Sequence, residues 1–285
     1  MEALSLYDLS PGKVIADRYE IVGTHRQGGL STAFEVTDGE DDKRYEMQVF
    51  PAAMLGIDEA QDFSASLQPW KRVESDSVLR VREILNLGPS LLVLVTDFPE
   101  GESLRIRLNR EQHLERADVV RIGCQLLEGL VSIHAHGLVH GDIKPYTIHV
   151  KGSGGEIRVL LVDGGVTPGL WSAKHLGEKT ALIGTPYYAP VEQFGGESPD
   201  VQSDVYNVAT VLFECATGTL PWPGDSFLDV FQAKLDKRPP SMSARAPDVE
   251  LDSELEQAVV TGCLADRSER YATAQDFLAR LSALQ

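Results

Sequence analysis

The stretch His140-Gly141-Asp142-Ile143-Lys144-Pro145 places an aspartate and a lysine two positions apart, just after a predicted helix. That helix is predicted because apolar residues recur every three or four positions and the pattern closes at Gly137. They are Val119, Val120, Ile122, Leu126, Leu127, Leu130, Val131 and Ile133. Downstream, the glycine-rich segment from Lys151 to Gly155 is typical of a hairpin turn. The aspartate and the lysine are therefore expected in a loop that follows a long amphipathic helix.

The chain before residue 99 differs in character from the chain after it. Strands are predicted from β-rich runs separated by turn residues: Tyr19 to Gly23, Thr32 to Thr37, Tyr45 to Phe50 and Leu91 to Val95. One helix, Ile57 to Leu67, is predicted among them, and Pro69 ends it. From Pro99 onward the periodicity is helical, and the final helix has Thr273 as N-cap with Asp276 three residues later.

These patterns predict an α+β fold of two lobes. We expect a leader over residues 1–17, a small β-rich lobe over 18–98 and a larger helical lobe over 99–285. The two lobes form one domain, residues 18–285.

Several motifs occur in the order found in protein kinases. They are the loop around Asp142, Asp163-Gly164-Gly165, Gly184-Thr185-Pro186-Tyr187-Tyr188, Glu192, Ser203-Asp204-Val205-Tyr206 and Arg270. The chain thus resembles the protein kinase superfamily, and most of all the bacterial serine/threonine kinases of eukaryotic-like type. The resemblance implies a bilobal kinase-like fold, Asp142 as the base, Lys144 beside the transferred phosphoryl group and Asp163 as a metal ligand. It also implies an ion pair between Glu192 and Arg270.

Four positions depart from the residues that the resemblance implies for phosphoryl transfer. Gln48 replaces the phosphate-binding lysine, and Ser66 stands where the glutamate partner of that lysine is expected, with Glu59 and Asp62 as alternatives in a shifted register. Thr147 replaces a metal-binding asparagine, and Gly164 replaces a phenylalanine that packs between the lobes. A neutral amide supplies no positive charge, and a hydroxyl is a poor metal ligand beside a carboxamide.

The nucleotide cleft that the resemblance implies is also altered. Glu46 and His149 make both faces of the adenine site polar, and Pro99 has no N–H to offer at the hinge. In the phosphate-covering loop, Gly28 matches, whereas Arg26 replaces the first glycine and Ala33 replaces a valine.

These departures favour a pseudokinase, a domain without enzymatic activity that acts as scaffold, adaptor or allosteric regulator through protein contacts. Under this interpretation ATP binds weakly or not at all, no cofactor or metal is required, and Asp142, Lys144 and Asp163 are vestigial. Two alternatives stay open. One is an active serine/threonine kinase with Asp142 as base and Arg26 as the substitute phosphate clamp, and the other is a sensor of a small ligand with contacts from Glu46 and His149.

Partners are predicted from position and charge. Thr180 lies where related kinases are phosphorylated, which suggests an active kinase or a phosphothreonine-binding domain as partner. The 285 residues include 43 acidic and 26 basic side chains, and the formal charge of -17 argues against nucleic acid or an anionic membrane surface. No apolar run is long enough for a membrane helix, and three scattered cysteines indicate a reducing, cytoplasmic setting.

Overall fold

The computed structural model describes residues 6–27, 31–51, 57–88, 91–173, 187–224, 226–236 and 238–285. Its strands are β1 (Val14–Ile15), β2 (Tyr19–Gln27), β3 (Thr32–Asp38), β4 (Arg44–Pro51), β5 (Val81–Leu87), β6 (Leu91–Asp97), β7 (Glu102–Ser103), β8 (Ile148–Lys151) and β9 (Arg158–Leu161). Its helices are α1 (Ile57–Leu67), α2 (Leu104–Glu111), α3 (Arg116–Ala135), α4 (Val166–Ala173), α5 (Val191–Phe194), α6 (Val201–Thr217), α7 (Phe227–Lys234), α8 (Met242–Arg245), α9 (Ser253–Gly262) and α10 (Ala274–Ser282).

The first six strands form one antiparallel sheet in the order β1-β2-β3-β4-β6-β5. Side chains alternate between its faces. On β4, Met47 and Val49 pack into the core of the sheet, with Phe34 from β3. Glu46 and Gln48 consequently belong to the opposite face, and both are buried although they are polar. The pattern of β4 thus places two polar side chains on the face that borders the cleft.

The helical lobe is built on α3 and α6, which are buried along most of their length. A Ser/Thr-type capping box starts α10, where the Thr273 hydroxyl accepts from Asp276 N and the Asp276 carboxylate accepts from Thr273 N. Strands β7, β8 and β9 form a second, small sheet, and β8 and β9 lie between α3 and α4 in the chain. No helix in the described part of the chain is long and apolar enough to cross a membrane.

The predicted α+β class, the strands around Tyr19, Thr32, Tyr45 and Leu91, and the helices α1, α3 and α10 are confirmed. Several elements, among them β5 and β7, were not predicted individually. Helix α4 was not predicted, and β1 adds part of the segment assigned to the leader onto the edge of the sheet, where Val14 pairs with Glu20. The division of the chain at residues 17 and 98 stays a prediction.

Candidate active site

The loop that carries Asp142 is fixed by buried hydrogen bonds to its backbone. The Asp204 carboxylate, fully buried on α6, accepts from the backbone N–H groups of His140 and Gly141, each at 2.8 Å. The His140 ring lies 3.0 Å from the carbonyl oxygen of Val162. Gly141 has a positive φ of 80°, which favours glycine. Asp142 is therefore presented by a rigid turn.

Thr147 closes this turn from the other side. Its hydroxyl lies 2.8 Å from the carbonyl oxygen of Asp142 and 3.1 Å from that of Lys144, and it accepts from the backbone N–H of Lys144. The Lys144 ammonium contacts the Asp142 carboxylate at 2.6 Å. Thr147 thus stabilises the backbone of the turn through hydrogen bonds, while Asp142 and Lys144 form an ion pair in the cleft.

Arg26 bridges the two lobes. Its Nη1 and Nη2 donate to the two carboxylate oxygens of Asp163, each at 2.6 Å, and its Nη2 and Nε donate to Glu46 at 2.6 and 2.9 Å. The sheet register explains this reach, because Arg26 pairs with Ala33 and Ala33 pairs with Gln48, so Arg26 and Gln48 lie in one row across three strands. A guanidinium from β2 therefore enters the part of the cleft where Gln48 supplies no charge.

The buried carboxylate of Glu46 is fully partnered. Besides Arg26, the Nδ1 atom of His25 lies 2.6 Å from it. Burial alone raises the pKa of Glu46, but the hydrogen bonds from Arg26 and His25 outweigh it and lower the pKa to about 2. The buried charge at this position is therefore compensated, because Arg26 and His25 stabilise the ionised form.

Trp70, which follows α1, fills the space beside Gly164. A Cβ atom at Gly164 would lie only 2.3 Å from Cζ3 of the Trp70 ring. Gln48 donates to the Ser31 hydroxyl at 2.9 Å, and the Ser66 hydroxyl donates to the carbonyl oxygen of Phe63 at 2.7 Å. Gln48 and Ser66 therefore hydrogen-bond to other residues and not to each other.

A cavity of about 780 Å³ joins most of these groups. Its lining includes Arg26, Ala33, Gln48, Asp142, Asp163 and His149. His149 is buried, and its Nδ1 has no hydrogen-bond partner among the described residues. Burial lowers the pKa of His149, and the charge of Arg26 lowers it further, so the ring is neutral at neutral pH.

The remaining predicted positions lie apart from this cavity or outside the description. Pro99 is buried after the end of β6, and it is not among the residues that line the cavity. Gly28 and Thr180 lie outside the described residues. Sequence reasoning missed His25 and Trp70. His25 precedes Arg26 on β2, and its ring contacts Phe98 with a centroid distance of 4.7 Å.

The Glu192–Arg270 pair is confirmed, with a distance of 2.8 Å between Oε1 and Nη1 and both side chains buried. This pair connects the start of α5 to the segment before α10. Together with the anchored Asp142 loop, it defines a kinase-like helical lobe.

Comparison with known proteins agrees with this architecture. The family description "Protein kinase domain" matches residues 19–281, so the chain belongs to the protein kinase family. It is 27% identical over 278 residues to the serine/threonine-protein kinase pkn3 of Myxococcus xanthus, covering 96% of this chain and 51% of that protein. It is 26% identical over 270 residues to PrkC of Bacillus subtilis, covering 93% and 40%. The chain thus spans about half, or less, of these relatives.

Solved structures show the same fold. The kinase domain of PknI from Mycobacterium tuberculosis superposes with a TM-score of 0.74 at 18% identity, covering 97% of this chain and 99% of that one.

The expectation of a catalytically inactive scaffold is wrong on these findings. The relatives reported above carry the name serine/threonine-protein kinase, and nothing among them points to a domain that has lost activity. That prediction rested on coincident replacements at several independent positions, among them the neutral Gln48 where a phosphate-binding lysine is expected. Arg26, which reaches Asp163 from another strand, supplies a positive charge beside that position.

Proposed function

We propose that this chain is a serine/threonine protein kinase domain that uses Arg26, in place of a lysine on β4, as its cation for the nucleotide phosphates. The observation that carries the proposal is the position of the Arg26 guanidinium, 2.6 Å from Asp163 inside the cleft. A guanidinium is always charged and matches the geometry of phosphate oxygens.

Asp142 would act as the base in this reaction. The serine or threonine hydroxyl of a protein substrate attacks the γ-phosphorus of a nucleoside triphosphate, the bond to the leaving diphosphate oxygen breaks, and Asp142 accepts the hydroxyl proton. Lys144, held 2.6 Å from Asp142, lies where it can neutralise charge on the transferred group. Both side chains line the same cavity as Arg26.

Arg26 can be held by Glu46 while it contacts phosphate. Its Nε donates to Glu46 alone, its Nη2 donates to both Glu46 and Asp163, and its Nη1 donates to Asp163 alone. Release of Asp163 alone would therefore leave the guanidinium anchored on β4, with Nη1 directed at the cleft. This geometry supports a role for Glu46 as the partner that orients the cation.

The test is phosphotransfer from γ-labelled ATP to casein and to the chain itself, with wild type and Asp142→Asn side by side. We expect Asp142→Asn to lower the rate by roughly 10²- to 10⁴-fold, the usual contribution of a positioned base. Asp248→Asn, an equivalent change at an exposed turn remote from the cavity, is the matched control and should keep the wild-type rate. Equal rates in wild type and Asp142→Asn would overturn the proposal.

Thr180 as a phosphorylation site, and a phosphothreonine-binding partner for it, stay predictions. Mass spectrometry of the chain after incubation with magnesium and ATP checks the first of them.

A further inference from the structure

Two large apolar side chains are exposed at the edge of the cleft. Ile106 is 55% exposed and Tyr146 is 60% exposed, and both line the cavity that contains Asp142. The other large apolar side chains that are exposed in the described part of the chain, such as Val14 and Val22, do not line this cavity. Exposed apolar surface beside polar groups is typical of binding sites. Ile106 and Tyr146 therefore adjoin the space through which a hydroxyl group reaches Asp142.

The two side chains belong to different elements that are hydrogen-bonded to each other. Ile106 lies in the first turn of α2, and Tyr146 lies in the turn that presents Asp142. The backbone N–H of Arg105 donates to the carbonyl oxygen of Pro145 at 3.0 Å. Because Arg105 precedes Ile106 and Pro145 precedes Tyr146, this bond holds the two exposed residues near each other. We call Ile106 and Tyr146 together the apolar edge of the cleft.

The Tyr146 ring has a firmly held neighbour. The guanidinium of Arg105 lies 5.7 Å from the centroid of this ring, within the range of a cation–π contact. The same guanidinium donates to the Glu214 carboxylate at 2.8 Å and to the Tyr188 hydroxyl at 2.6 Å. Glu214 is buried on α6, so Arg105 is anchored to the core of the helical lobe. A ring that is already supported loses little freedom when it binds a partner, which lowers the cost of association.

The charges in the cavity favour an apolar side chain over a basic one at this edge. Three carboxylates are in the described lining of the cavity, and each contacts a basic side chain of the chain itself. These contacts are Glu102 with Arg107 and Arg110, Asp142 with Lys144, and Asp163 with Arg26. A basic side chain of a substrate would have to compete with these pairs, whereas an apolar one has only to displace water from Ile106 and Tyr146.

We propose that the apolar edge selects the protein substrate by receiving a large apolar side chain, such as leucine, that lies within about four residues of the phosphorylated serine or threonine. The Thr147 hydroxyl lies 2.8 Å from the carbonyl oxygen of Asp142, so Tyr146, the residue before Thr147, is close to Asp142. An extended peptide advances about 3.3 Å per residue, so four residues span about 13 Å. The assignment of the edge to a substrate rests on the proposed function, because Asp142 is the group that a substrate hydroxyl approaches.

The test uses alanine-rich peptides with one serine and with either leucine or asparagine at one of the four positions on each side of it. Phosphotransfer from γ-labelled ATP is measured for each pair of peptides. At one position we expect leucine to raise kcat/KM at least about fivefold over asparagine, mainly through KM. Ile106→Ser combined with Tyr146→Ser should bring this ratio close to one. Val14→Ser combined with Val22→Ser is the matched control at exposed apolar positions outside the cavity, and it should keep the wild-type ratio.

Phosphotransfer with no leucine preference at any position, or with a preference that persists in the Ile106 and Tyr146 double variant, would overturn this inference alone. Absence of phosphotransfer to every peptide would overturn the proposed function, and binding of the same peptides with a fluorescein label, followed by anisotropy, then tests the edge. The leucine peptide should bind wild type at least about fivefold more tightly than its asparagine partner, and equal binding would overturn the inference. Self-association that the double variant abolishes, without any leucine preference, would assign the edge to a second copy of this chain and overturn the inference as well.

Discussion

The replacement of the inter-lobe phenylalanine by Gly164 gives a quantitative prediction, because Trp70 fills the space. In Gly164→Ala, the new Cβ would lie 2.3, 2.7 and 3.0 Å from three ring carbons of Trp70, whereas ordinary contacts begin near 3.4 Å. The ring and the backbone must separate by about 1 Å, although Trp70 is buried in the main hydrophobic core. Overpacking of this kind costs about 1–3 kcal/mol.

Urea unfolding followed by circular dichroism measures this loss. Gly155→Ala is the matched control, because no atom lies within 4 Å of its added Cβ and its φ is not positive, so its stability should stay within about 0.5 kcal/mol of wild type. Trp70→Leu removes the clashing ring, and in that background Gly164→Ala should cost at least about 1 kcal/mol less. If Gly164→Ala costs the same with and without Trp70, the close contact is not the cause and the reasoning fails.

Two further predictions concern buried charges in the helical lobe. Arg270→Met removes the ion-pair partner of the buried Glu192 carboxylate and should lower the free energy of unfolding by about 3–5 kcal/mol. Arg238→Met removes an exposed ion pair and should change the free energy of unfolding by at most about 1 kcal/mol. Urea unfolding of both variants measures the difference. Burial lowers the pKa of Lys234 from 10.5 to about 7. Between these two pH values the unfolded chain binds more protons at Lys234 than the folded chain does. The contribution of Lys234 to the free energy of unfolding should therefore rise from pH 7 to 10.5. Lys234→Met should lack that rise in unfolding measurements at pH 7, 8 and 9, and an identical pH profile would refute it.

Much of the fold was predictable because hydrophobic periodicity is local. The β4 strand, the stripe of α3 and the cap at Thr273 each depend on residues within a few positions. Helix α4 was not predictable in this way, because Pro168 and Gly169 are poor helix residues in isolation. Proline is tolerated in the first turn, and Gly169 allows α4 to approach the Ser66 hydroxyl of α1, where a Cβ would lie 2.5 Å away.

The candidate site was predictable in its members but not in their contacts. Alternation along β4 put Glu46 and Gln48 on one face, and the kinase resemblance identified Asp142 and Asp163. The contact of Arg26 with Asp163 joins residues 137 positions apart, and a long side chain at that position has many rotamers. Only the folded sheet and the position of the helical lobe select the rotamer of Arg26 that contacts both Glu46 and Asp163.

The ion pair in the cleft lies on different secondary-structure elements from those that the kinase resemblance implies. The resemblance implies a cation on β4 and a carboxylate on α1, where this chain has the neutral side chains Gln48 and Ser66. The structure instead pairs a cation on β2, Arg26, with a carboxylate on β4, Glu46. Because a guanidinium has five donors, Arg26 can hold Glu46 and still present N–H groups to the cleft, which a lysine ammonium does with less geometric control. Gln48 by itself therefore does not decide whether the cleft can stabilise phosphate charge, since the charge needed there can be delivered from a neighbouring strand.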